Sequence, residues 1–569
     1  MPSLPRRPWT VLLVLAALAG CGGRDDDDVD DTLPQLAPAT GAALSSCATL
    51  QSRLAFANTT FSAASAVAAG TLTVGGQPIA EHCRVTGQMF PRTSAVDGRT
   101  YAIGFEMRLP NAWNGRFWYQ ANGGTDGAIS TAVGSASAGA ALTNALQQGF
   151  AVLSSDAGHS NAQNPTFGID PQARLDYGYQ AVGKLTPMAQ EAIRIAYGKA
   201  PDRSYLGGCS NGGRHAMVAA SRYANDYDGI LAGNPGTVLP RAAIANIAGY
   251  QTYASLATDP ANVSTGFTVA ERQLVSSAVL GRCDALDGTT DGMVQDTKAC
   301  QAAFDLARDV PTCSGPRDGT CLSAAQKTGI ARLFAGATTS TGAVIYASFP
   351  YDTGIATGNW TFWKFTVPPA LDAGAVAHIW QVPPVDPATF NGPSFALTSS
   401  VDDLLAKVQA TNAVYTESAL SFMTPPNPTD LSTLRNRGAK LMIYHGTADP
   451  IFSSDHSVSV YEGLRSANGG DASNFARLFL VPGMNHCGGG PSTDQFDMIT
   501  PLVDWVERGI APASVTAAAR GPGNPAAVNA DLPSTWAANR TRPLCPYPLV
   551  ARYRGSGDVE QAASFECRP

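Results

Sequence analysis

The segment "GGCSNGGRHAM", residues 207–217, constrains this chain more than any other stretch. Ser210 stands two residues from Gly208 on one side and two from Gly212 on the other, which is the G-x-S-x-G pattern of a nucleophile elbow. A strand-to-helix turn this tight leaves no room for side chains two positions from the serine. It presents the hydroxyl above a helix N-terminus, which favours developing negative charge. A glycine-rich turn that only packs a helix onto a sheet is the alternative interpretation.

Strand-like and helix-like stretches alternate around this turn. "YAIGFEMRLP" (101–110) alternates as a strand does, and "GFAVLSSDAG" (149–158) is an apolar run that ends in glycine. "PMAQEAIRIAYG" (187–198) has apolar residues at helical spacing. Alternating strands and helices predict a mostly parallel sheet.

A long segment without this alternation begins near residue 240. It is rich in proline and aromatic residues, and the strand-then-loop pattern returns only with "AKLMIYHGTADPIF" and "NFARLFLVPGMNH". We therefore predict an α/β fold that is interrupted by a large inserted lid domain and then completed. The predicted parts are a first α/β segment (47–236), the lid (237–430) and a second α/β segment (431–569).

A serine hydroxyl needs a general base, and the chain has only seven histidines. His486 stands between a predicted strand and the last predicted helix, and Asp449 also follows a strand. The chain order Ser210, Asp449, His486 is that of the α/β-hydrolase triad, so we predict this fold and this catalytic triad. Weaker candidates are His159 and His215 for the base and Asp455 and Asp494 for the acid.

Backbone N–H groups are expected to hold the negative charge that forms on the substrate oxygen. One donor is Asn211, directly after the nucleophile. The second is expected from the glycine-rich "QANGGTDG" (120–127), through Gly123 or Gly124. Together they predict an oxyanion hole.

The two catalytic residues each have a cysteine neighbour, since Cys209 precedes Ser210 and Cys487 follows His486. If serine and histidine are within hydrogen-bonding reach, these cysteines are close too, which predicts a disulfide. By the loop-entropy relation so long a loop gives roughly 5 kcal/mol of stabilisation, and the bond would hold nucleophile and base in register. Two unrelated buried thiols are the alternative.

The N-terminus has the features of an export signal. Arg6 and Arg7 precede "VLLVLAALA", an apolar run too short to span a bilayer. The run leads into "LAGC", which resembles the lipobox of bacterial lipoproteins, in which the cysteine, here Cys21, is acylated. We expect a signal peptide (1–20), a disordered acidic tether (21–46) and a lipid anchor in a membrane, with Gly22 favouring the outer membrane. An ordinary secretory signal is the alternative.

Cysteine usage agrees with export. Eleven cysteines without Cys21 leave ten, an even number typical of disulfides. A zinc site is less favoured, because the chain has no C-x-x-C pair. Sequence neighbours suggest the pairs Cys283–Cys300, Cys313–Cys321 and Cys545–Cys567.

The charge balance argues against one class of partner. The net charge is -7, and no basic cluster is present that could follow a phosphate backbone. We therefore expect no nucleic-acid partner.

Three motifs, G-C-S-x-G-G, H-G-x-x-D-P and G-x-x-H-C-x-G-G, together resemble the tannase and feruloyl esterase family of α/β-hydrolases. The resemblance covers most of the chain from about Cys47, and the cysteine-flanked triad is its most specific part. It implies an inserted lid, the disulfide beside the triad and further disulfides, here including Cys47–Cys83. It also implies ester hydrolysis without an organic cofactor.

A second site is predicted in "CDALDGTTDGMVQD", residues 283–296. Three carboxylates on a compact glycine-containing loop suit Ca²⁺, although the spacing is not that of an EF-hand. The family resemblance implies a structural calcium ion in the lid, bound by three aspartates and two backbone carbonyls. The implied ligands are Asp284, Asp287, Asp291, Thr289 and Met293. An Asp-Gly turn cluster without metal is the alternative.

Aromatic residues of the predicted lid could clamp a planar acyl group by stacking, or they could form the lid core. By resemblance, His445 and Phe452 could line the pocket for an aromatic acid. Terephthalate monoester hydrolases of this family use a lid arginine for the free carboxylate, but "HIWQVPPVDPATFNGPSFALTSS" (378–400) has no Arg or Lys. The aromatic residues concerned are Trp360, Phe362, Trp363, Phe365 and Trp380.

These observations predict an exported serine esterase for small phenolic esters, with feruloyl, galloyl or hydroxybenzoyl groups. Hydrolysis of a terephthalate monoester is the second possibility within the family. A non-catalytic surface lipoprotein that binds polyphenols and a serine peptidase are the alternatives of other classes.

Overall fold

A nine-stranded sheet runs through the centre of the computed structural model, which describes residues 33–136 and 143–569. The predicted signal peptide and Cys21 lie outside the described residues. Across the sheet the strand order is β9-β8-β7-β6-β4-β5-β3-β2-β1. In chain order the strands are β1 Thr59–Val67, β2 His82–Thr93, β3 Thr100–Pro110, β4 Arg116–Gln120, β5 Ala151–Ser155, β6 Arg203–Cys209, β7 Gly229–Gly233, β8 Lys440–Gly446 and β9 Ala476–Val481.

The sheet is mixed. Strands β9, β8, β7, β6, β4 and β5 are parallel to one another, and beyond β5 the strands β3, β2 and β1 pair antiparallel. Every residue of β5, β7 and β8 is buried, as expected for parallel strands covered on both faces. The prediction of a mostly parallel sheet is therefore confirmed for six strands, and the three antiparallel strands lie at one edge.

Helices cover both faces of the parallel strands because successive strand residues point to opposite sides. On one face Leu206 and Ile230 share an apolar cluster with α1 (Ala181–Tyr197), α2 (Asn211–Arg222) and α3 (Ser454–Ala467). On the other face Tyr205 and Leu231 pack with α4 (Ile499–Arg508). The sheet thus lies between two cores.

A helical insertion separates β7 from β8 and has its own apolar clusters. Trp360 and Trp380 are buried in these clusters, so both belong to the core of the insertion rather than to a substrate clamp. The main helices of the insertion are Leu239–Leu256, Val269–Cys283, Thr297–Ala303, Ala324–Phe334, Gly358–Thr361, Phe362–Thr366, Pro368–Asp372, Ala373–Ala375, Val376–Trp380, Gly392–Thr398, Val401–Gln409, Ala419–Met423 and Ser432–Asn436.

Smaller elements complete the chain. A three-stranded antiparallel sheet and a C-terminal hairpin follow β9. The strands of these two units are Gln495–Phe496, Val515–Ala518 and Thr541–Leu544, then Val550–Tyr553 and Phe565–Arg568. Short helical turns lie at Leu50–Arg53, Asn161–Gln163, Thr166–Ile169, Pro171–Leu175 and Asp176–Gln180.

Residues 33–46, which the sequence assigns to a disordered tether, lie against the folded chain instead. Ala42–Ala43 pairs antiparallel with Ala112–Trp113. The Gln35 side chain donates to the carbonyl of Val506 at 2.8 Å. The prediction of a disordered tether is wrong for these residues, because their backbone and side chains have fixed partners on the domain.

Among the described residues there are five disulfides, and they are the five predicted pairs: Cys47–Cys83, Cys209–Cys487, Cys283–Cys300, Cys313–Cys321 and Cys545–Cys567. Several disulfides suit a protein of an oxidising compartment and therefore an exported one. In the part of the chain that the structure describes, no helix is both long enough and apolar enough to cross a membrane.

Candidate active site

The turn after β6 holds Ser210 in a backbone conformation that is rare for a residue with a side chain, with φ 66° and ψ −125°. The neighbouring glycines explain how the turn is possible. A Cβ added at Gly208 or at Gly212 would collide with the carbonyl oxygen of Ala121. Only glycine therefore allows the strand, the following helix and the neighbouring loop to approach so closely.

Three side chains from three strand ends form one chain of hydrogen bonds. His486 Nε2 lies 2.7 Å from Ser210 Oγ, and His486 Nδ1 lies 2.8 Å from Asp449 Oδ2. Ser210 follows β6, Asp449 follows β8 and His486 follows β9, and the carboxyl ends of these parallel strands lie at one edge of the sheet. The structure thus brings together the three residues of the predicted triad.

The acid is held by four donors. Asp449 Oδ1 accepts from the backbone N–H groups of Ile451 and Phe452 at 2.9 and 3.0 Å. Oδ2 accepts from His486 and, at 2.6 Å, from Asn234 Nδ2. Burial alone would raise the pKa of Asp449, but the charge of His486 and the hydrogen bonds of two histidines hold it far below its ordinary value. The Asp449 carboxylate is therefore ionised when the His486 imidazole takes up a proton.

Asn234 is a site residue that sequence analysis missed. It directly follows β7, the strand between the nucleophile strand and the acid strand. The feature that could have identified it is its position at the end of a parallel strand, but this feature points to the acid only when the order of the strands is known.

His445 lies behind the acid and not in a substrate pocket, which corrects the predicted role. Its side chain is fully buried. Nε2 lies 2.8 Å from the carbonyl oxygen of Phe452 and 3.4 Å from Asp449 Oδ2, and Nδ1 lies 2.7 Å from Ser457 Oγ. Because His445 is on β8 itself, its side chain enters the protein interior beside the acid.

The weaker candidates for base and acid lie elsewhere. His215 contacts Asp126 at 2.9 Å, and His159 lies 2.8 Å from the carbonyl oxygen of Thr125. Of the rival acids, Asp455 accepts from Ser348 and Asp494 forms an ion pair with Arg520. None of these four side chains joins the chain of hydrogen bonds at Ser210.

A disulfide links the two reacting residues through their neighbours. Cys209 and Cys487 are bonded, with Cα atoms 6.1 Å apart and a sequence separation of 278. Cys487 has φ 64°, a left-handed conformation that leads into a run of three glycines. The bond fixes the histidine loop against the elbow.

The predicted oxyanion loop lies beside the nucleophile. A Cβ added at Gly123 would be 3.8 Å from Ser210 Cβ. In the described part of the chain, the backbone N–H groups of Gly123, Gly124 and Asn211 have no hydrogen-bond acceptor. These donors are therefore free for a substrate oxygen.

Two aromatic rings contact the imidazole edge-on. The ring centroids of Trp363 and Phe452 lie 4.7 and 5.2 Å from that of His486. Phe452 is only 3% exposed and packs against Gly236, so it shapes the wall of the site from behind. Trp363 is partly exposed, and Phe362 beside it is 49% exposed. Trp363 is thus the aromatic residue of the insertion that borders the reacting groups.

The predicted calcium loop is tied by its own backbone. Asp284 Oδ1 accepts from Asp291 N at 3.0 Å, and Asp291 Oδ2 is paired with Arg542. Asp287 Oδ2 is buried without a partner. Burial, Asp291 and Asp284 raise the pKa of Asp287 to about 7.

The chemistry of this loop suits a cation, but its geometry is not that of a formed site. Oxygen donors and one unpartnered buried carboxylate oxygen are what Ca²⁺ binds. Within the described residues, however, no three His, Cys, Asp or Glu side chains are placed so that they could hold one metal ion. Calcium binding, including the backbone ligands Thr289 and Met293, stays a prediction.

The protein has a mixed α/β sheet with a hydrogen-bonded serine, histidine and aspartate at its carboxyl edge, an arrangement typical of hydrolases. A family model described as tannase and feruloyl esterase matches residues 83–568. The chain is 39% identical over 538 residues to the mono(2-hydroxyethyl) terephthalate hydrolase of Piscinibacter sakaiensis, covering 88% of this chain and 87% of that protein. The protein is therefore an esterase of the tannase and feruloyl esterase family, as its motifs predict.

Solved structures agree in fold. The structure is similar to feruloyl esterase B from Aspergillus oryzae, with a TM-score of 0.73 and 23% identity over 92% of this chain and 99% of that one. It is also similar to the tannin acyl hydrolase from Aspergillus niger, with a TM-score of 0.66 and 19% identity over 93% and 96% of the two chains. At these identities the likeness concerns the fold.

Proposed function

We propose that the protein is an exported serine carboxylesterase with an α/β-hydrolase fold and a lid, which cleaves esters of aromatic acids through an acyl-enzyme. The observation that carries this proposal is the unbroken chain of hydrogen bonds from Ser210 through His486 to Asp449. Ser210 is partly exposed, so an ester can reach it. Membership of an esterase family supports the reaction type.

The mechanism follows from which atom can take which proton. His486 Nε2 accepts the Ser210 proton as the oxygen attacks the ester carbonyl, while Asp449 fixes the other ring nitrogen as a donor and stabilises the imidazolium. The carbonyl oxygen becomes negative and is met by the N–H groups of Asn211 and of Gly123 or Gly124. His486 then protonates the leaving alcohol, and a water molecule, deprotonated by the same nitrogen, releases the acid.

Phenolic acyl groups are the proposed substrates. The aromatic edge of Trp363 beside His486 suits a planar acyl group. The segment 378–400 offers no cation for a second carboxylate. Feruloyl, galloyl and hydroxybenzoyl esters meet both conditions.

Hydrolysis of a terephthalate monoester is the second candidate, and the 39% identity to a mono(2-hydroxyethyl) terephthalate hydrolase favours it. This substrate needs a cation for its free carboxylate. Lys364 follows Trp363 directly and lies 3.2 Å from Asn246 Oδ1. It is the lid cation nearest in sequence to the residue that borders the triad.

The test compares three proteins on four esters. Wild type, Ser210→Ala and the control Ser52→Ala, an exposed serine, are assayed with p-nitrophenyl acetate, methyl ferulate, methyl gallate and a terephthalate monoester. Ser210→Ala is expected to lose at least about 10³-fold in kcat and Ser52→Ala nothing. Equal rates for Ser210→Ala and wild type would contradict the esterase and favour the non-catalytic binding protein. A preference for the terephthalate monoester would favour the second candidate substrate.

Calcium and the lipid anchor are proposed as accessory features. A bound Ca²⁺ would neutralise the carboxylates of Asp284, Asp287 and Asp291 and stabilise the loop. Its role would be structural, without a part in proton transfer. A lipid on Cys21 would keep the enzyme at a bacterial membrane facing the periplasm or outside. Both are supported by residue pattern alone.

A further inference from the structure

A buried polar cluster stands behind the oxyanion loop and takes no part in the reaction described above. At its centre is Asp126, whose side chain is 2% exposed. It belongs to the loop that carries Gly123 and Gly124. Its backbone has φ 54°, a left-handed conformation that needs support from its surroundings.

The Asp126 carboxylate joins the two halves of the predicted oxyanion hole. Oδ2 accepts from Asn211 Nδ2 at 2.9 Å, and Asn211 supplies one of the two expected oxyanion donors through its backbone. The same oxygen lies 2.9 Å from His215 Nε2 on the next turn of α2. One carboxylate oxygen thus connects the loop after β4 with the helix after the nucleophile.

Arg214 completes the clamp from the other side. It is fully buried, and its Nε donates to Asn211 Oδ1 at 2.6 Å. Its terminal nitrogens donate to the carbonyl oxygens of Gly178 and Tyr177 at 2.7 and 3.1 Å. Both ends of the Asn211 amide are therefore occupied, so this side chain cannot turn without breaking a buried hydrogen bond.

Arg214 also bears on the protonation of His215. One of its nitrogens lies 3.3 Å from Nδ1 and 3.0 Å from Nε2 of that ring. An arginine can only donate, so this contact requires a ring nitrogen without a proton, and Nε2 donates to an ionised Asp126 only in the tautomer in which that nitrogen is Nδ1.

Other side chains fix the carbonyl groups of the same loop. Tyr177 donates to Gly124 O at 3.3 Å, His159 Nε2 lies 2.8 Å from Thr125 O, and Asn164 donates to Asp126 O at 2.9 Å. These carbonyls are held by the cluster, while the N–H groups of Gly123 and Gly124 have no acceptor among the described residues and Gly123 lies beside Ser210.

We infer that Asp126, acting through the Asn211 amide and His215, is a positioning residue that sets the spacing between the two N–H donors of the oxyanion hole. The inference rests on the proposed function. A transition-state oxyanion needs both donors at hydrogen-bonding distance at once, and loss of one such donor costs about 10²–10³ in kcat. Breaking the clamp leaves both N–H groups present but lets them separate, so we expect a smaller loss.

The charge state of the clamp is also set by burial. Burial raises the pKa of Asp126 to about 7, and His159, Arg214 and Asn211 oppose this rise. Burial lowers the pKa of His159 to about 4 and that of His215 well below its ordinary value, so both rings are neutral at pH 7. Asp156, another carboxyl facing the cluster, also has its pKa raised to about 7 by burial. Asp126 is the member whose ionisation alters the bond to Asn211.

The test uses the full chain, p-nitrophenyl acetate and a matched control. Asp126→Asn is compared with Asp372→Asn, since Asp372 is also buried, also accepts from an asparagine (Asn246 Nδ2, 2.7 Å) and also has a pKa of about 7. At pH 8 we expect Asp126→Asn to lower kcat about 30-fold with KM within threefold, and Asp372→Asn to leave kcat within threefold. A purely structural role would lower Tm in both and kcat in neither.

Two further readouts separate the outcomes. The ratio of wild-type to Asp126→Asn kcat is expected to fall toward one at pH 5.5, because the wild-type carboxyl is then neutral too. Asn211→Ala, which keeps its backbone N–H, is expected to lose kcat to a similar extent, and the double variant no more than the worse single variant. If Asp126→Asn does not fold, Asn211→Ala decides alone.

Failure of the inference is distinguishable from failure of the proposed function. If Ser210→Ala abolishes turnover while Asp126→Asn and Asn211→Ala keep kcat within threefold of wild type at pH 8, the function stands and the positioning role is overturned.

Discussion

Removal of the disulfide between Cys209 and Cys487 should harm both stability and turnover, and the two effects can be measured separately. The bond closes a loop with a sequence separation of 278, for which the loop-entropy relation gives about 5.6 kcal/mol at 25 °C. The double variant Cys209→Ala/Cys487→Ala should lose about that much free energy of unfolding. Where it remains folded, kcat should fall by about 10- to 100-fold, because nucleophile and base are no longer held in register.

A second disulfide of the same chain is the control. Cys313–Cys321 closes a loop of only 8 residues, for which the same relation gives about 2.5 kcal/mol. Its double alanine variant should lose that amount and keep wild-type kcat. Urea unfolding followed by tryptophan fluorescence gives the stabilities, and initial rates with p-nitrophenyl acetate give kcat. Equal stability losses in the two variants, or an unchanged kcat without the Cys209–Cys487 bond, would refute the reasoning.

Three other substitutions or treatments test separate parts of the structure. Gly212→Ala places a Cβ against a backbone carbonyl and should cost about 2–4 kcal/mol together with activity, whereas the control Gly281→Ala, with open space around it, should be neutral or stabilising by thermal melting. Asn234→Ala removes the 2.6 Å bond to Asp449 and should lower kcat about tenfold without changing KM; an unchanged kcat would contradict it. EDTA should lower Tm, and Ca²⁺ at 100 times its Kd should restore about 2.7 kcal/mol, but not in Asp287→Asn; equal melting with and without Ca²⁺ would remove the metal from the proposal.

The site residues that sequence analysis identified share a local signature. Ser210, Asp449 and His486 each follow an apolar strand within a few residues, and their order along the chain matches one known arrangement. The cysteines beside two of them could be paired because covalent neighbours of touching residues must be close. Three further disulfide pairs are suggested by sequence neighbours, Cys47–Cys83 is implied by the family resemblance, and the parallel strands are predicted from the alternation of strands and helices.

What the sequence could not show depends on contacts between distant segments. Asn234 reaches the acid because β7 lies between β6 and β8, and the sequence near residue 234 does not indicate this strand order. The family resemblance predicts His445 in the substrate pocket, yet its position within β8 places its side chain in the interior. The composition of residues 33–46 is that of a linker and predicts a tether, while their partners are Trp113 and Val506, far along the chain.

The nucleophile is held by one restraint that the sequence shows and by another that depends on contacts between distant segments. On one side Ser210 is restrained by its covalent neighbour Cys209 and the disulfide to the histidine loop. On the other side the restraint is packing, since the Ala121 carbonyl fills the space that the two elbow glycines leave open. The loop that begins at Ala121 also carries Asp126, so the contact that permits the elbow and the clamp that ties Asn211 belong to one segment. A serine fixed from both sides needs no rearrangement of its donors during acyl transfer, and electrostatic stabilisation of this preorganised kind is the form that accelerates such reactions most.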